Sequence, residues 1–372
     1  MPPLNILIKP ASSLCNMRCE YCFYKDVSES RERRSMGMMS LDPLEEVVRR
    51  AFEYATDFVG FAFQGGEPTL AGLDFYRELM ALERKYNTKN IKVSNAIQTN
   101  GYVIDDEWAR FFAKNGFLVG LSMDGTKEAH DSLRVDAAGK GTFDRVVRAA
   151  DILQKNGAEF NILCVVNNFV ARYPKKVYDQ LKKYKYIQFI ACLDPLEGEK
   201  TRFSLSEERY ASFLRQTFTL YYEDFMRGNY VSIRNFDNYV SILLGRRPES
   251  CAMNGFCTCY CVIEGDGSVY PCDFYVLDEW RLGNVREQSF GEMISSPLAR
   301  EFVERSLFVR DECKNCRYYK LCRGGCRRER EPFSEGIPSL NRRCAAYKSL
   351  FDTCLDPMLD MARRIGAGYS PR

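Results

Sequence analysis

Between residue 4 and about residue 195 the chain alternates short apolar runs with amphipathic stretches six times, and this alternation restricts the fold more than any other feature. The runs LNILIK, VGFAFQ, IKVSNAIQ, FLVGLSM, FNILCVV and YIQFIACL read as strands. Between them PLEEVVRRAFEYA, LDFYRELMALERKY, DDEWARFFAKNG, FDRVVRAADILQKNG and PKKVYDQLKKY carry apolar residues at helical spacing, several ending in Asn or Gly. Such repeats imply parallel strands joined by right-handed crossovers, hence an α/β barrel or an open doubly wound sheet. Six units are too few for an eight-fold barrel. Polar segments follow the strands: a cysteine loop after the first, GGEPTLAG after the second, TNGY after the third and MDGTKE after the fourth. Loops at the C-terminal ends of parallel strands build the active site, so these motifs are expected at one face.

Composition narrows the chemistry. The 53 basic and 50 acidic residues nearly cancel, which gives no field for nucleic acid. The basic runs Arg31–Arg34 and Arg327–Arg330 each contain a glutamate and read as solvated surface. No apolar stretch is long enough to span a bilayer, and MPPLNILIKP has no cleavage site, so a cytoplasmic protein without a membrane partner is expected. Sixteen cysteines in a reducing compartment point to metal ligands or catalytic thiols rather than disulfides. The one histidine, His130, lies in the polar stretch GTKEAHDSL and reads as a surface loop residue. Proton abstraction therefore falls to a carboxylate, lysine, tyrosine or thiol.

Cys15, Cys19 and Cys22 have C-x3-C-x2-C spacing, with no fourth Cys or His nearby to complete a zinc site. Three thiolates on a [4Fe–4S] cluster leave one iron open for a ligand. The spacing, with aromatic Tyr21 before the last cysteine, resembles the radical S-adenosylmethionine (SAM) superfamily. That resemblance implies a partial (β/α)6 barrel in which the open iron chelates SAM, whose reductive cleavage gives a 5′-deoxyadenosyl radical. GGEP at Gly65, Gly66, Glu67 and Pro68 resembles the loop that binds the SAM amino group. By the same resemblance Tyr21 and Leu193 lie by the adenine, and Ser122 and Arg134 near the ribose and carboxylate.

The composition changes at Cys251, which puts a break near residue 245. From there to Cys344 a small apolar core would hardly fold alone, and metal or cluster binding would supply stability. Cys257, Cys272 in a G-x4-C unit, then Cys313, Cys316, Cys322 and Cys326 as C-x2-C-x5-C-x3-C, and finally Cys344 resemble the SPASM extension of radical SAM peptide and protein modifiers. With Cys251 as an eighth thiol, the resemblance implies two auxiliary [4Fe–4S] clusters. One takes Cys251, Cys257, Cys272 and Cys326, the other Cys313, Cys316, Cys322 and Cys344. The C-x2-C spacing also suits a pair of structural zinc sites. Cys164 and Cys192 read as core packing, and Cys354 as inert on an amphipathic helix. Cys259 and Cys261 read as bystanders beside a ligand.

The segments LIKPASSLCNMRCEYCFY, FAFQGGEPTLAGL, LVGLSMDG, FNILCVV, CLDPL, CTC and GDGSVYPCDFYVLDEWRLGN resemble the anaerobic sulfatase-maturating enzymes up to about Cys344. Those enzymes oxidise a Cys or Ser within a Cys/Ser-x-Pro-x-Arg motif of a sulfatase to Cα-formylglycine. The resemblance makes Asp273 the proton acceptor and implies as partners an unfolded or nascent sulfatase and a reductant such as flavodoxin or ferredoxin. Gln64 and Asn100, in strand-end loops, are candidates for contact with the substrate backbone. Expected domains are 1–230 for the barrel, 231–350 for the auxiliary-cluster domain and 351–372 for a C-terminal helix and tail. Cys261 and the loop Arg31–Met39 fall outside the pattern; the loop matches no chemistry, and the extra thiol leaves open a peptide maturase forming thioether or other crosslinks. A third reading, for the C-terminal segment alone, is an electron-transfer module.

Overall fold

The computed structural model describes residues 3–196, 199–334 and 336–370; the ends of the outer expected domains, 1–2 and 371–372, lie outside the described residues. In chain order come β1 (Leu4–Ile8), α1 (Phe23–Glu29), α2 (Leu41–Tyr54), β2 (Phe58–Phe63), α3 (Leu73–Tyr86), β3 (Lys92–Thr99), α4 (Asp106–Lys114) and β4 (Phe117–Ser122). Then follow α5 (Lys127–Asp131), α6 (Phe143–Lys155), β5 (Phe160–Val166), α7 (Pro174–Leu181), β6 (Tyr186–Ala191), α8 (Glu207–Met226), β7 (Ser232–Ile233) and α9 (Arg234–Leu243). The short strands β8 (Val262–Ile263), β9 (Ser268–Tyr270) and β10 (Gly283–Asn284) come last. All six expected strands form, each followed by at least one helix.

The chain divides into two compact units, one of Met1–Ser122, Asp131–Phe160 and Cys259–Phe302, the other of Met123–His130, Asn161–Thr258 and Val303–Arg372. In the first, β1, β2, β3 and β4 pair in parallel in that order. Val59, Phe61 and Phe63 alternate inward along β2, while α2 buries Leu44, Val47, Val48 and Ala51. That pattern of alternate strand positions and one helical stripe is what buries an apolar face under each element. Asp105 starts α4 by accepting from the amides of Glu107 and Trp108. On the other edge of β1, β8 pairs in parallel, and β9 and β10 follow antiparallel. A hairpin from the cysteine-rich part of the sequence thus completes the first sheet, which periodicity in such short strands does not reveal.

This edge is fastened by buried charges. Lys9, just past β1, and Arg31 each approach Glu264 Oε1, just past β8, at 2.8 Å, and the carboxylate is fully buried. Burial pushes the Glu264 pKa up, but the charges of Lys9 and Arg31 outweigh it and hold it at about 2. Arg31 is therefore a buried ion-pair partner, which corrects its reading as solvated surface. The loop that followed no pattern in the sequence lies against the end of β1: Met36 N donates to Ser12 Oγ at 3.0 Å and Met39 N to Pro10 O at 2.7 Å.

In the second unit β5, β6 and β7 pair in parallel. The helix Cys344–Gly366 packs along α8, with the rings of Tyr210 and Tyr347 6.1 Å apart. Cys164, Cys192 and Cys354 are buried as expected of packing residues. His130 is also fully buried, on α5, where Nδ1 accepts from Asp124 N at 3.2 Å. Its reading as a surface residue is corrected: a short helix turns its imidazole inward from an otherwise polar stretch. Arg327, Arg328 and Arg330 are buried too, in a 3-10 turn: Arg328 and Arg330 donate to backbone carbonyls, among them Ser306 O at 3.2 Å from Arg330 Nη2, and the Arg327 guanidinium lies 5.1 Å from the Phe333 ring centroid. Charge density alone misread that run. Among the described residues no helix is long and apolar enough to cross a membrane.

Glu264→Gln leaves two buried cations without a full counter-charge, and destabilisation of about 3 kcal/mol is expected at pH 7. A carboxylate lowered from 4.5 to about 2 stabilises the fold fully above pH 4.5 and loses that contribution, about 3 kcal/mol, as pH falls towards 2. Urea midpoints of the two proteins should accordingly differ at pH 7 and converge only at about pH 2 and below; equal midpoints at pH 7 would contradict the role of the network.

Candidate active site

The cysteine loop is built on the end of β1 and held by GGEP. Glu67 N donates to Leu14 O at 2.8 Å, so the two loops share a hydrogen bond. Gly66 sits at φ +53, and a Cβ there would fall 2.1 Å from Leu14 O, an approach only glycine permits. The Glu67 carboxylate is buried and turned into the fold. Its Oε1 accepts from Thr69 N at 3.1 Å, Thr69 Oγ1 at 2.6 Å and Thr99 Oγ1 at 2.7 Å, and its Oε2 from Asn100 N at 2.8 Å. Burial raises its pKa against these bonds. Glu67 thus joins the loops after β2 and β3.

Around the thiols, Asn100 Nδ2 donates to Asn16 Oδ1 at 2.8 Å and lies 3.8 Å from Cys15 Sγ. Arg18 N and Glu20 N donate to Val135 O and Leu133 O at 2.8 and 3.1 Å, which binds the loop to the segment carrying Arg134. The Arg134 guanidinium stands 5.5 Å from the Tyr21 ring centroid, with Nη1 4.0 Å from Cys19 Sγ. The expected SAM residues Tyr21, Gly65, Gly66, Glu67 and Arg134 therefore surround the cysteine loop, and Ser122 ends β4. Cys15, Cys19 and Cys22 thus sit on one loop fixed by backbone bonds, and their spacing suits a cluster that keeps one iron open. Leu193 belongs to the second unit, two residues past the end of β6.

Asp273 lies in the first unit beside Gln64, and the two are hydrogen-bonded. Its Oδ2 accepts from Tyr24 Oη at 2.7 Å and from Gln64 Nε2 at 2.9 Å, while Oδ1 is buried with no hydrogen-bond partner. Burial raises the pKa to about 6, against the lowering charge of Lys9 and the bonds from Tyr24 and Gln64. Tyr24 keeps its proton, because desolvation and the neighbouring carboxylate both raise its pKa. Asp273 is thus positioned through one oxygen and free to accept through the other. Sequence reasoning missed Tyr24 and Lys9. For Lys9 a signal existed, a lysine closing a strand that is buried on both faces; Tyr24 in CEYCFYKD carried none.

Cys313, Cys316, Cys322 and Cys344 line one pocket in the second unit. Desolvation and the three neighbouring thiols push the Cys322 thiol up to about 12. Cys251, Cys257 and Cys326 are near neighbours in the second unit, the first two raising the pKa of the third. Cys272 follows β9 in the first unit. Cys261 is buried at the edge of β8 and its thiol is hydrogen-bonded to that of Cys259.

Known families match this arrangement. A profile of the Radical SAM superfamily covers residues 10–181, and one of an iron-sulfur cluster-binding domain, SPASM, covers residues 251–326. A cysteine-type anaerobic sulfatase-maturating enzyme of Clostridium perfringens is 49% identical over 98% of this chain and 100% of its own. A serine-type anaerobic sulfatase-maturating enzyme of Bacteroides thetaiotaomicron is 32% identical over 97% of this chain and 92% of its own. Among solved structures, native anSMEcpe with bound AdoMet and Cp18Cys peptide superposes with a TM-score of 0.93 at 49% identity, over 98% of this chain and 100% of that one.

Gly66→Ala forces a methyl group into Leu14 O at a strained φ. Such a clash is expected to cost about 1 to 3 kcal/mol and to loosen the cysteine loop. The variant, reconstituted anaerobically, should hold less iron and show a weaker SAM-induced change in the electron paramagnetic resonance of the first cluster. Wild-type iron content together with a wild-type spectrum would contradict the role given to the loop contact.

Proposed function

Because this chain belongs to the anaerobic sulfatase-maturating enzymes of the radical SAM superfamily, we propose that it oxidises cysteine, in a Cys-x-Pro-x-Arg segment of an unfolded or nascent sulfatase, to Cα-formylglycine. The cysteine preference rests on the higher identity to the cysteine-type relative, 49% against 32% for the serine-type. The cofactors are SAM and [4Fe–4S] clusters. When bound, they supply the 5′-deoxyadenosyl radical that removes hydrogen from the substrate Cβ and a path for the electron that must leave afterwards.

The residues divide this work. Cys15, Cys19 and Cys22 hold the SAM-binding cluster, with Tyr21, Gly65, Gly66, Glu67, Ser122, Arg134 and Leu193 as SAM contacts. Cys251, Cys257, Cys272 and Cys326 hold one auxiliary cluster, and Cys313, Cys316, Cys322 and Cys344 the other. Asp273 takes the substrate thiol proton on Oδ1 as the substrate radical gives up its electron, leaving a thioaldehyde that water converts to the aldehyde and hydrogen sulfide. Tyr24 and Gln64 fix the carboxylate, and Gln64 and Asn100 border the substrate. The bare buried Oδ1 of Asp273 is the observation that supports this reading most directly. A flavodoxin or ferredoxin serves as reductant in a cytoplasmic setting. The functional division is 1–230, 231–350 and 351–372. The crosslinking peptide maturase recedes beside full-length identity to sulfatase-maturating enzymes.

Anaerobic incubation with SAM, a reductant and a Cys-x-Pro-x-Arg peptide should give the aldehyde peptide together with 5′-deoxyadenosine, both read by mass spectrometry. SAM cleavage with an unchanged peptide would sink the assignment. In Asp273→Asn aldehyde formation should drop by a factor on the order of 100 or more, while 5′-deoxyadenosine continues to form; product at the wild-type rate would remove Asp273 from the role of base.

A further inference from the structure

In the second unit the pocket lined by Cys313, Cys316, Cys322 and Cys344 adjoins an open groove, and Tyr319 borders both. Backbone bonds fix that residue: Tyr319 N donates to Cys316 O at 3.0 Å, and Arg323 N to Tyr319 O at 2.8 Å. The segment 254–256 forms another wall of the groove. Gly255, at φ +85, lets this segment close on Arg323, since a Cβ there would lie 3.0 Å from Arg323 Cβ and 3.1 Å from its carbonyl oxygen. Arg323 Nη1 also donates to Met253 O at 3.3 Å. The groove turns apolar side chains to water, with Leu307 53% exposed and Phe256 48%. Its charged lining residues are Lys320 and Arg323, with no carboxylate among the described residues that line it. Lys320 is exposed and pairs with no carboxylate among the described residues, whereas Arg310 and Lys314 in the same stretch are neutralised by Glu312 and Asp311 at 2.9 and 2.8 Å.

We propose that this groove is the docking surface of an acidic iron–sulfur carrier protein, which takes one electron from the cluster held by the four thiols behind Tyr319. This rests on the reading of Cys313, Cys316, Cys322 and Cys344 as ligands of one cluster. Exposed apolar side chains beside cations that no carboxylate neutralises make a surface suited to a partner of opposite charge. Nine residues line the groove, fewer than the about 20 to 30 a side of a stable interface, and this matches the brief encounter of two redox proteins. Substrate oxidation leaves an electron to be disposed of, and the carrier is its acceptor. The transfer makes and breaks no bond and moves no proton: the cluster is oxidised by one electron and the carrier's iron–sulfur centre is reduced by one.

Anaerobically reconstituted holoenzyme, reduced with dithionite and freed of the excess, is mixed with an acidic [2Fe–2S] ferredoxin as the probe, and bleaching of the ferredoxin is followed by stopped flow. Lys320→Glu and Leu307→Glu should each slow the bimolecular transfer roughly tenfold at low ionic strength, and the Lys320→Glu deficit should shrink as salt is added. Carbodiimide should join Lys320 to a ferredoxin carboxylate, read by mass spectrometry of the linked peptides. With dithionite as reductant, the KM for peptide and the rate of SAM cleavage should stay within about twofold of wild type in both variants. Wild-type transfer rates in both variants would overturn the proposal. So would a raised peptide KM, which gives the groove to the substrate chain, or dissociation of a wild-type dimer by either substitution, which gives it to a second copy. Cys316→Ser separates the two readings. If it loses about four irons while the groove variants transfer normally, the docking surface is overturned alone; if it keeps its iron, the cluster reading falls and the docking surface with it.

Discussion

The salt bridges converging on Glu264 are the constraint from which the first unit's site is assembled. A carboxylate fully removed from water is costly unless cations and hydrogen bonds answer it, and here Lys9 and Arg31 both answer at 2.8 Å. Each partner brings a different piece of chain: Lys9 the end of β1, Glu264 the end of β8, Arg31 the loop after α1. The stem of Lys9 then fills the space over Gly65, where a Cβ would lie 2.5 Å from Lys9 Cε. One ionic centre therefore sets the register of the sheet edge, the path of the loop beside the cysteines and the shape of the GGEP turn.

Three of the buried carboxylates in this unit, Glu264, Glu67 and Asp273, differ in how completely they are compensated. Glu264 faces two cations and is held at about 2. Glu67 accepts four hydrogen bonds from the loops it joins. Asp273 has two donors on Oδ2, none on Oδ1, and a pKa raised to about 6. A carboxylate with a spare lone pair in a desolvated site can take up a proton near neutral pH; one saturated with partners cannot do so without unmaking the fold. Environment, not residue type, separates Asp273 from Glu264 and Glu67, while Glu83 on α3 shares its raised pKa and its bare buried oxygen.

Much of this was legible in the residues because it depends on local spacing. The six β/α units follow from periodicity, and the cysteine loop, GGEP and the eight later thiols from motif spacing read through family resemblance. What escaped is long-range. That Arg31 would find Glu264, 233 positions away, cannot be read from a run of arginines that looks like solvated surface. Arg327, Arg328 and Arg330 misled in the same way, since a guanidinium can be buried wherever backbone carbonyls are left over at strand and turn ends. His130 was misplaced because five residues are too few to show a helical stripe. The hairpin β9–β10 was hidden for a parallel reason, as strands of two or three residues carry no alternation to count.

Chain connectivity supplies the last constraint. Once hydrogen has left the substrate carbon, the remaining radical becomes a stable product only by losing a proton and an electron, and the two losses are most favourable when they occur side by side. Asp273 and Cys272 are consecutive residues, so their Cα atoms are held about 3.8 Å apart by a single peptide unit. The proposed proton acceptor and a proposed cluster ligand are therefore placed together by covalent geometry, without reliance on a long-range contact. The same economy recurs at Arg342, Arg343 and Cys344, where the side chains that bond Asp194 and Cys192 O adjoin a thiol. In both places the backbone sets a proposed cysteine ligand directly beside a residue with a contact of its own to make.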